Sequence, residues 1–159
     1  ETLSLPKIHG SSVIIYKICY HKSNVNKKGF LCMKRHEARE KALQVLFQLD
    51  STELPIEEAI EHVLEERKSN AFLEQLVRGT IEHKEAIDAE LEEKLENWTL
   101  SRLPKIERTV LRLSVYELLY MQDTPQKVVL NEAVELCKVF SDDKSSKFVN
   151  GVLSKFTQQ

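Results

Sequence analysis

From Met33 onward, apolar residues recur three and four positions apart with acids, glutamines and lysines between them, the pattern of amphipathic helices. In "RHEAREKALQVLFQLD" the residues Ala38, Ala42, Leu43, Leu46 and Leu49 form one stripe. Glu37, Glu40, Gln44 and Gln48 take the other face. A turn is predicted near Asp50–Thr52, and Pro55 suits the first turn of "PIEEAIEHVLEER". "AFLEQLVRGTIEHKEAIDAELEEKLENW" supplies one or two helices, with Gly79 either a point of close packing or a break. After Leu103-Pro104, "KIERTVLRLSVYELLYM" is apolar around most of its circumference, which predicts a central helix wrapped by others. Asp123-Thr124-Pro125 ends it and opens "QKVVLNEAVELCKVF", and "SDDKSS" leads into a last helix whose stripe is Val149, Val152, Leu153 and Phe156. The pattern therefore predicts an all-α fold of about six or seven helices in two small packed bundles that share the central helix.

Composition agrees. Few glycines and prolines (four of each) among many Leu, Glu, Lys and Ala favour helix over strand, and 159 residues suffice for one good core or two small ones sharing an interface. Residues 1–32 lack helical periodicity, and their composition changes abruptly at Met33. They are read as a non-native or disordered N-terminal extension, with Met33 as the natural start and 33–159 as the functional domain. Their run "VIIYKICY" is too short to span a bilayer. Cys19, Cys32 and Cys137 form no CxxC pair, so neither a disulfide framework nor a zinc site is indicated and a reducing cytoplasm fits.

Charge changes the picture. Residues 1–32 hold five lysines and one glutamate, a net +4, whereas residues 33–159 hold 18 basic against 24 acidic residues, a net −6. Any nucleic-acid contact must come from a local basic patch rather than from a basic domain.

Two such patches stand out. Arg35 and Arg39 continue the line of Ala42, Leu46 and Leu49, so the core stripe turns basic at its own beginning. Either the arginine stems cover the end of the core while their heads reach solvent, or Lys34, Arg35 and Arg39, with His36 nearby, bind phosphate. At the last helix, Lys144 and Lys147 oppose the helix dipole, a conflict that a bound anion would remove, and Phe148 sits on the flank of the apolar stripe. The plainer account is a boundary aromatic with ordinary surface lysines. Glu117 falls on the apolar line of Ile106, Val110 and Leu113. It is expected to be partly buried and paired with an arginine or a backbone donor, since an unpaired carboxylate there would cost several kcal/mol. His36, His62 and His83 show no metal-ligand spacing, Cys137 reads as a small core residue, and no phosphate-loop, dinucleotide or nucleophile-elbow motif occurs. No catalytic, metal or cofactor site is predicted.

Taken together, "RHEAREKALQVLFQLD", "LVRGTIEH", "IERTVLRLSVYEL", "PQKVVLNEAVELCKVF" and "SSKFVNGVLSKF", in that order, resemble the NusB family of bacterial transcription antitermination factors. The resemblance runs from Met33 to about Phe156. It implies a fold of two small helical bundles, no enzymatic activity and a cytoplasmic bacterial protein. It also implies binding to the boxA element of nascent ribosomal RNA together with NusE, a small-subunit ribosomal protein, so that RNA polymerase with other Nus factors reads through terminators. On this sequence the RNA-binding positions are Lys34, Arg35 and Arg39 at the first helix and Lys144, Ser145, Lys147 and Phe148 at the last, with Phe148 offering a stacking face to an unpaired base. The NusE surface includes Glu107, with Arg112 and Tyr116 as further positions; the polar edge of the central helix, Glu107, Arg108 and Arg112, lies away from the Ile106 line. The family also admits a homodimer. Two departures are visible: the basic start "MKRHEARE" is sparser in arginine than in many relatives, and Lys144 stands where relatives can carry an acid. Two other readings fit the same residues: the NusB-like front domain of a ribosomal RNA cytosine methyltransferase, and a helical module that binds protein only.

Overall fold

The computed structural model describes residues 33–157, so the reading of 1–32 as an extension falls outside the described residues. Among the described residues there are seven α-helices, one short 3-10 helix and no strand. They are α1 (Arg35–Leu49), α2 (Ile56–Leu64), α3 (Ala71–Glu82), α4 (Lys84–Lys94), the 3-10 helix (Leu100–Arg102), α5 (Lys105–Tyr120), α6 (Gln126–Phe140) and α7 (Asp143–Ser154).

Local chemistry explains where the helices begin. Pro55, Pro104 and Pro125 immediately precede α2, α5 and α6, where a missing N–H costs nothing and the fixed φ is already suitable. Asn70 caps α3 by accepting the Leu73 N–H at 2.8 Å, and Asp142 caps α7 by accepting the Ser145 N–H at 2.7 Å. The predicted long segment from Ala71 to Trp98 divides at His83 into α3 and α4.

Helix α5 is the hub. It packs against α1, α3, α4, α6 and α7, with α1–α3 forming one bundle and α6–α7 the tightest pair of the other. Ile106, Val110, Leu111, Leu113 and Val115 are all buried, as its near-continuous apolar circumference requires. Cys137 is buried in α6, and burial pushes its thiol up to about 12, which suits a small core residue rather than a reactive one. Gln44 departs from the sequence pattern: placed on the polar face of α1, it is buried because neighbouring helices cover that helix on more than one side.

Gly79 resolves as a point of close packing. It sits inside α3, and a β-carbon there would overlap the ring of Tyr116 on α5. Backbone and aromatic ring thus meet directly at the α3–α5 crossing. Gly79→Ala is expected to lower stability by about 1–3 kcal/mol through overpacking, although alanine has the better helix propensity. Thermal unfolding checks this, and a variant as stable as the parent would show that the Tyr116 ring moves aside freely.

Candidate nucleic-acid interface

The start of α1 carries the first predicted patch, and the structure separates its members. Lys34 and Arg35 are exposed, but Arg39 is only 3% exposed. Its Nε donates to Glu117 Oε2 at 2.9 Å and its Nη2 to Glu117 Oε1 at 2.5 Å, a two-point pair with Glu117 on α5, itself 1% exposed. Glu132 of α6 stands 3.6 Å from the remaining Nη1. Glu117 has the arginine partner that its place on an apolar line requires. Arg39 needs a correction: it neither reaches solvent with its head nor offers that head to phosphate, because both ends of the side chain are enclosed by α5, α6 and the half-buried ring of Phe72. That ring lies 5.0 Å from the Arg39 guanidinium carbon and 4.9 Å from that of Arg35. Phe72 had no signal in the sequence beyond its helical spacing. It holds Arg35 against the surface of α3 by a cation–π contact while Arg35 stays open to solvent.

His36 completes this end. Its Nδ1 lies 2.7 Å from Glu132 Oε2 and its Nε2 lies 3.4 Å from Glu40 Oε1. The hydrogen bond to Glu132 raises the imidazole above its ordinary 6.5, with partial burial opposing.

The second patch lies at the start of α7. Lys144 and Lys147 are exposed, and Phe148 is half-buried with its ring in an edge contact, 6.1 Å from the ring of Trp98. The dipole conflict expected there is already met from within the chain, since Asp142 caps the helix and Asp143 occupies its first turn. An anion is not required to explain the lysines, which leaves them free as solvent-facing charge.

The polar edge of α5 also differs from expectation. Glu107 is 5% exposed, because the α6–α7 junction folds over it: the hydroxyls of Ser141 and Ser145 both donate to Glu107 Oε1, the first at 3.1 Å. Tyr116 is buried against Gly79, and Arg112 is largely buried in a two-point pair with Asp88 at 2.7 and 2.8 Å. The three residues expected to face a protein partner therefore do not form an open edge in this chain. Glu107 instead joins Lys144, Ser145 and Phe148 at one site.

Relative placement follows from these pairs. Arg39 meets Glu117 while Asp50, at the other end of α1, meets Arg108, so α1 runs antiparallel to α5. The α1 patch is thus anchored at Glu117 and the α7 patch at Glu107, ten residues apart on one helix. That is about 15 Å along its axis. Among the described residues no group of His, Cys, Asp and Glu could hold a metal ion, and no helix is long and apolar enough to cross a membrane.

Comparison with known proteins gives a consistent picture. The NusB family model matches residues 36–158. The transcription antitermination protein NusB of Lysinibacillus sphaericus is 71% identical over 127 residues, covering 80% of this chain and 99% of the relative. That of Bacillus subtilis is 52% identical over 122 residues, covering 77% and 93%. Among solved structures, T. maritima NusB superposes with a TM-score of 0.74 at 33% identity, covering 81% of this chain and 94% of the other. A chain from the crystal structure of antitermination factors NusB and NusE in complex with double-stranded RNA gives 0.69 at 35% identity, covering 77% and 94%.

Two outcomes are expected from this geometry. Arg39→Met or Glu117→Leu alone leaves a buried charge without its partner and is expected to cost about 3–5 kcal/mol, whereas the double variant recovers most of that loss. Denaturant unfolding of the three variants checks it, and equal loss in the single and double variants would contradict the pairing. Since the folded-state value of His36 is raised, its pair with Glu132 stabilises fully below about pH 6.5 and fades as pH rises through the raised value. Glu132→Gln is expected to lower the His36 midpoint in an NMR pH titration; an unmoved midpoint would exclude Glu132 as the cause.

Proposed function

The chain belongs to the NusB family, and from that premise we propose that it is a transcription antitermination factor that binds boxA-type RNA of nascent ribosomal transcripts together with NusE. One observation carries this reading: a domain of net negative charge keeps two exposed basic clusters at the two ends of its hub helix, each beside an aromatic ring. Lys34 and Arg35 at one end and Lys144 and Lys147 at the other would take phosphates, Ser145 would contribute a hydroxyl, and Phe148 would stack on an unpaired base. Arg39 serves that interface from behind, by fixing where Arg35 and Lys34 emerge.

NusE would dock against α5, with Arg112 on the side toward Asp88, Tyr116 beneath that side and Glu107 on the side toward the α6–α7 junction. The complex would then act on RNA polymerase with other Nus factors in the bacterial cytoplasm, by binding rather than by catalysis. Pairing of two copies would compete with this role if it covered either basic cluster.

Binding of a fluorescently labelled boxA-type RNA to the full chain, with and without NusE and against a scrambled RNA, tests the proposal. Tighter, sequence-dependent binding in the presence of NusE is expected. Binding should weaken with salt, and Arg35→Ala or Lys147→Ala should each reduce the slope of log affinity against log salt by about 0.7. NusE binding with no measurable affinity for either RNA would point instead to a module that binds protein only.

A further inference from the structure

A cavity of about 280 Å³ opens between the end of α1, the start of α2, the α3–α4 junction and α5. Its walls are apolar: Leu46 is buried, and Leu49, Leu54, Ile56 and Ile81 are half-buried. Thr80 and Thr109, both buried, also line it, and the Thr109 hydroxyl donates to the Lys105 carbonyl oxygen at 2.7 Å.

Three charged side chains line the cavity, Asp50, Lys84 and Arg112, and they are not equally engaged. Asp50 is already met by cations: Arg108 Nη2 donates to its Oδ2 at 3.1 Å, and Lys105 Nζ stands 3.6 Å from the same oxygen. Arg112 is held by Asp88, which accepts from its Nε at 2.7 Å and its Nη2 at 2.8 Å. Its third nitrogen, Nη1, lies 3.7 Å from Asp50 Oδ1, too far for a hydrogen bond, and so keeps donor capacity. Lys84 stands one helical turn before Asp88 on α4, on the same face, and among the described residues its side chain has no ion pair or hydrogen bond. Glu57, at the start of α2, pairs with Arg78 at 3.0 Å instead.

We propose that this cavity binds a small organic carboxylate with an aliphatic body. The body would take the place of water against the leucine and isoleucine walls, and the carboxylate would accept from Lys84 Nζ and Arg112 Nη1. A cationic head would find Asp50 already neutralised and would meet Lys84 and Arg112 as like charges. A neutral head would form weaker hydrogen bonds with the same two donors. Because Asp88 fixes the guanidinium plane before any ligand arrives, little ordering remains to be done on binding. The volume, just below the ~300–1,000 Å³ of sites for drug-sized molecules, suits a short chain. None of the residues assigned to RNA lines this cavity, which lies at the opposite end of α1 from Lys34 and Arg35.

The experiment titrates the isotopically labelled full chain at neutral pH with hexanoate, hexanol and hexylamine, three probes with one tail and different heads, and follows backbone amides by NMR. Hexanoate is expected to shift the amides of residues 49–56, 80–84 and 109–112 saturably, with a Kd of about 1 mM. Hexanol and hexylamine should bind there about fivefold more weakly or worse. From butanoate to hexanoate, each added methylene should tighten binding about threefold. Lys84→Gln, at an exposed position, should weaken hexanoate about fivefold and leave hexanol unchanged. Equal binding of all three heads, hexanoate binding untouched by Lys84→Gln, or the absence of saturable shifts at these amides would each overturn the proposal. RNA and NusE are absent throughout, so the antitermination role is untouched by either result.

Discussion

The buried pair between Arg39 and Glu117 is the constraint on which the rest of the arrangement depends. Two charges removed from water are stable only if each is met at more than one point, and here two nitrogen donors face two carboxylate oxygens, with Glu132 beside them and the ring of Phe72 against the guanidinium. Any slip of α1 against α5 would break that match. The pair therefore sets register, whatever its net contribution to stability. With α1 so fixed, Lys34 and Arg35 emerge beside the C-terminal part of α5, and Asp50 falls opposite Lys105, Arg108 and Arg112 at the other end.

A second glutamate on α5 makes an instructive contrast. Glu117 is fully engaged and closed in, whereas Glu107 has serine donors on one oxygen only. The first arrangement locks two helices together. The second ties the start of α5 to the α6–α7 junction through one oxygen and leaves the other buried without a partner. Two carboxylates on the same helix thus join it to different neighbours, α1 at one end and the α6–α7 junction at the other.

Much of this was legible in the sequence, and what was not has a physical cause. Periodicity located the helices, the hub and the divisions near Pro55, Pro104 and Pro125 because those signals are local. Glu117 was readable as a paired carboxylate because it interrupts an apolar line. Its partner was not, since a helical wheel shows which face Arg39 occupies but not which helix will cover it. The burial of Glu107 was hidden for the same reason: it lies off the Ile106 line, yet the α6–α7 junction, far along the chain, closes over it. Trp98 lies between α4 and the 3-10 helix, where no period applies, so nothing local linked it to Phe148 fifty residues on. The lysines at the start of α7 looked unopposed in isolation, and Asp142 and Asp143 resolve that once the cap is seen.

Under the proposed function, one RNA strand is engaged at both ends of α5, at the basic cluster held by Arg39 and at the start of α7. The most direct measurement is an NMR titration of the isotopically labelled chain with boxA-type RNA, following backbone amides and the Trp98 indole N–H. Shift changes are expected in two groups, residues 34–36 with Phe72 and residues 142–148 with Trp98, saturating at the same RNA concentration, with the interior of α2 unmoved. Changes confined to one group, or two groups saturating at different concentrations, would contradict a single strand spanning both sites.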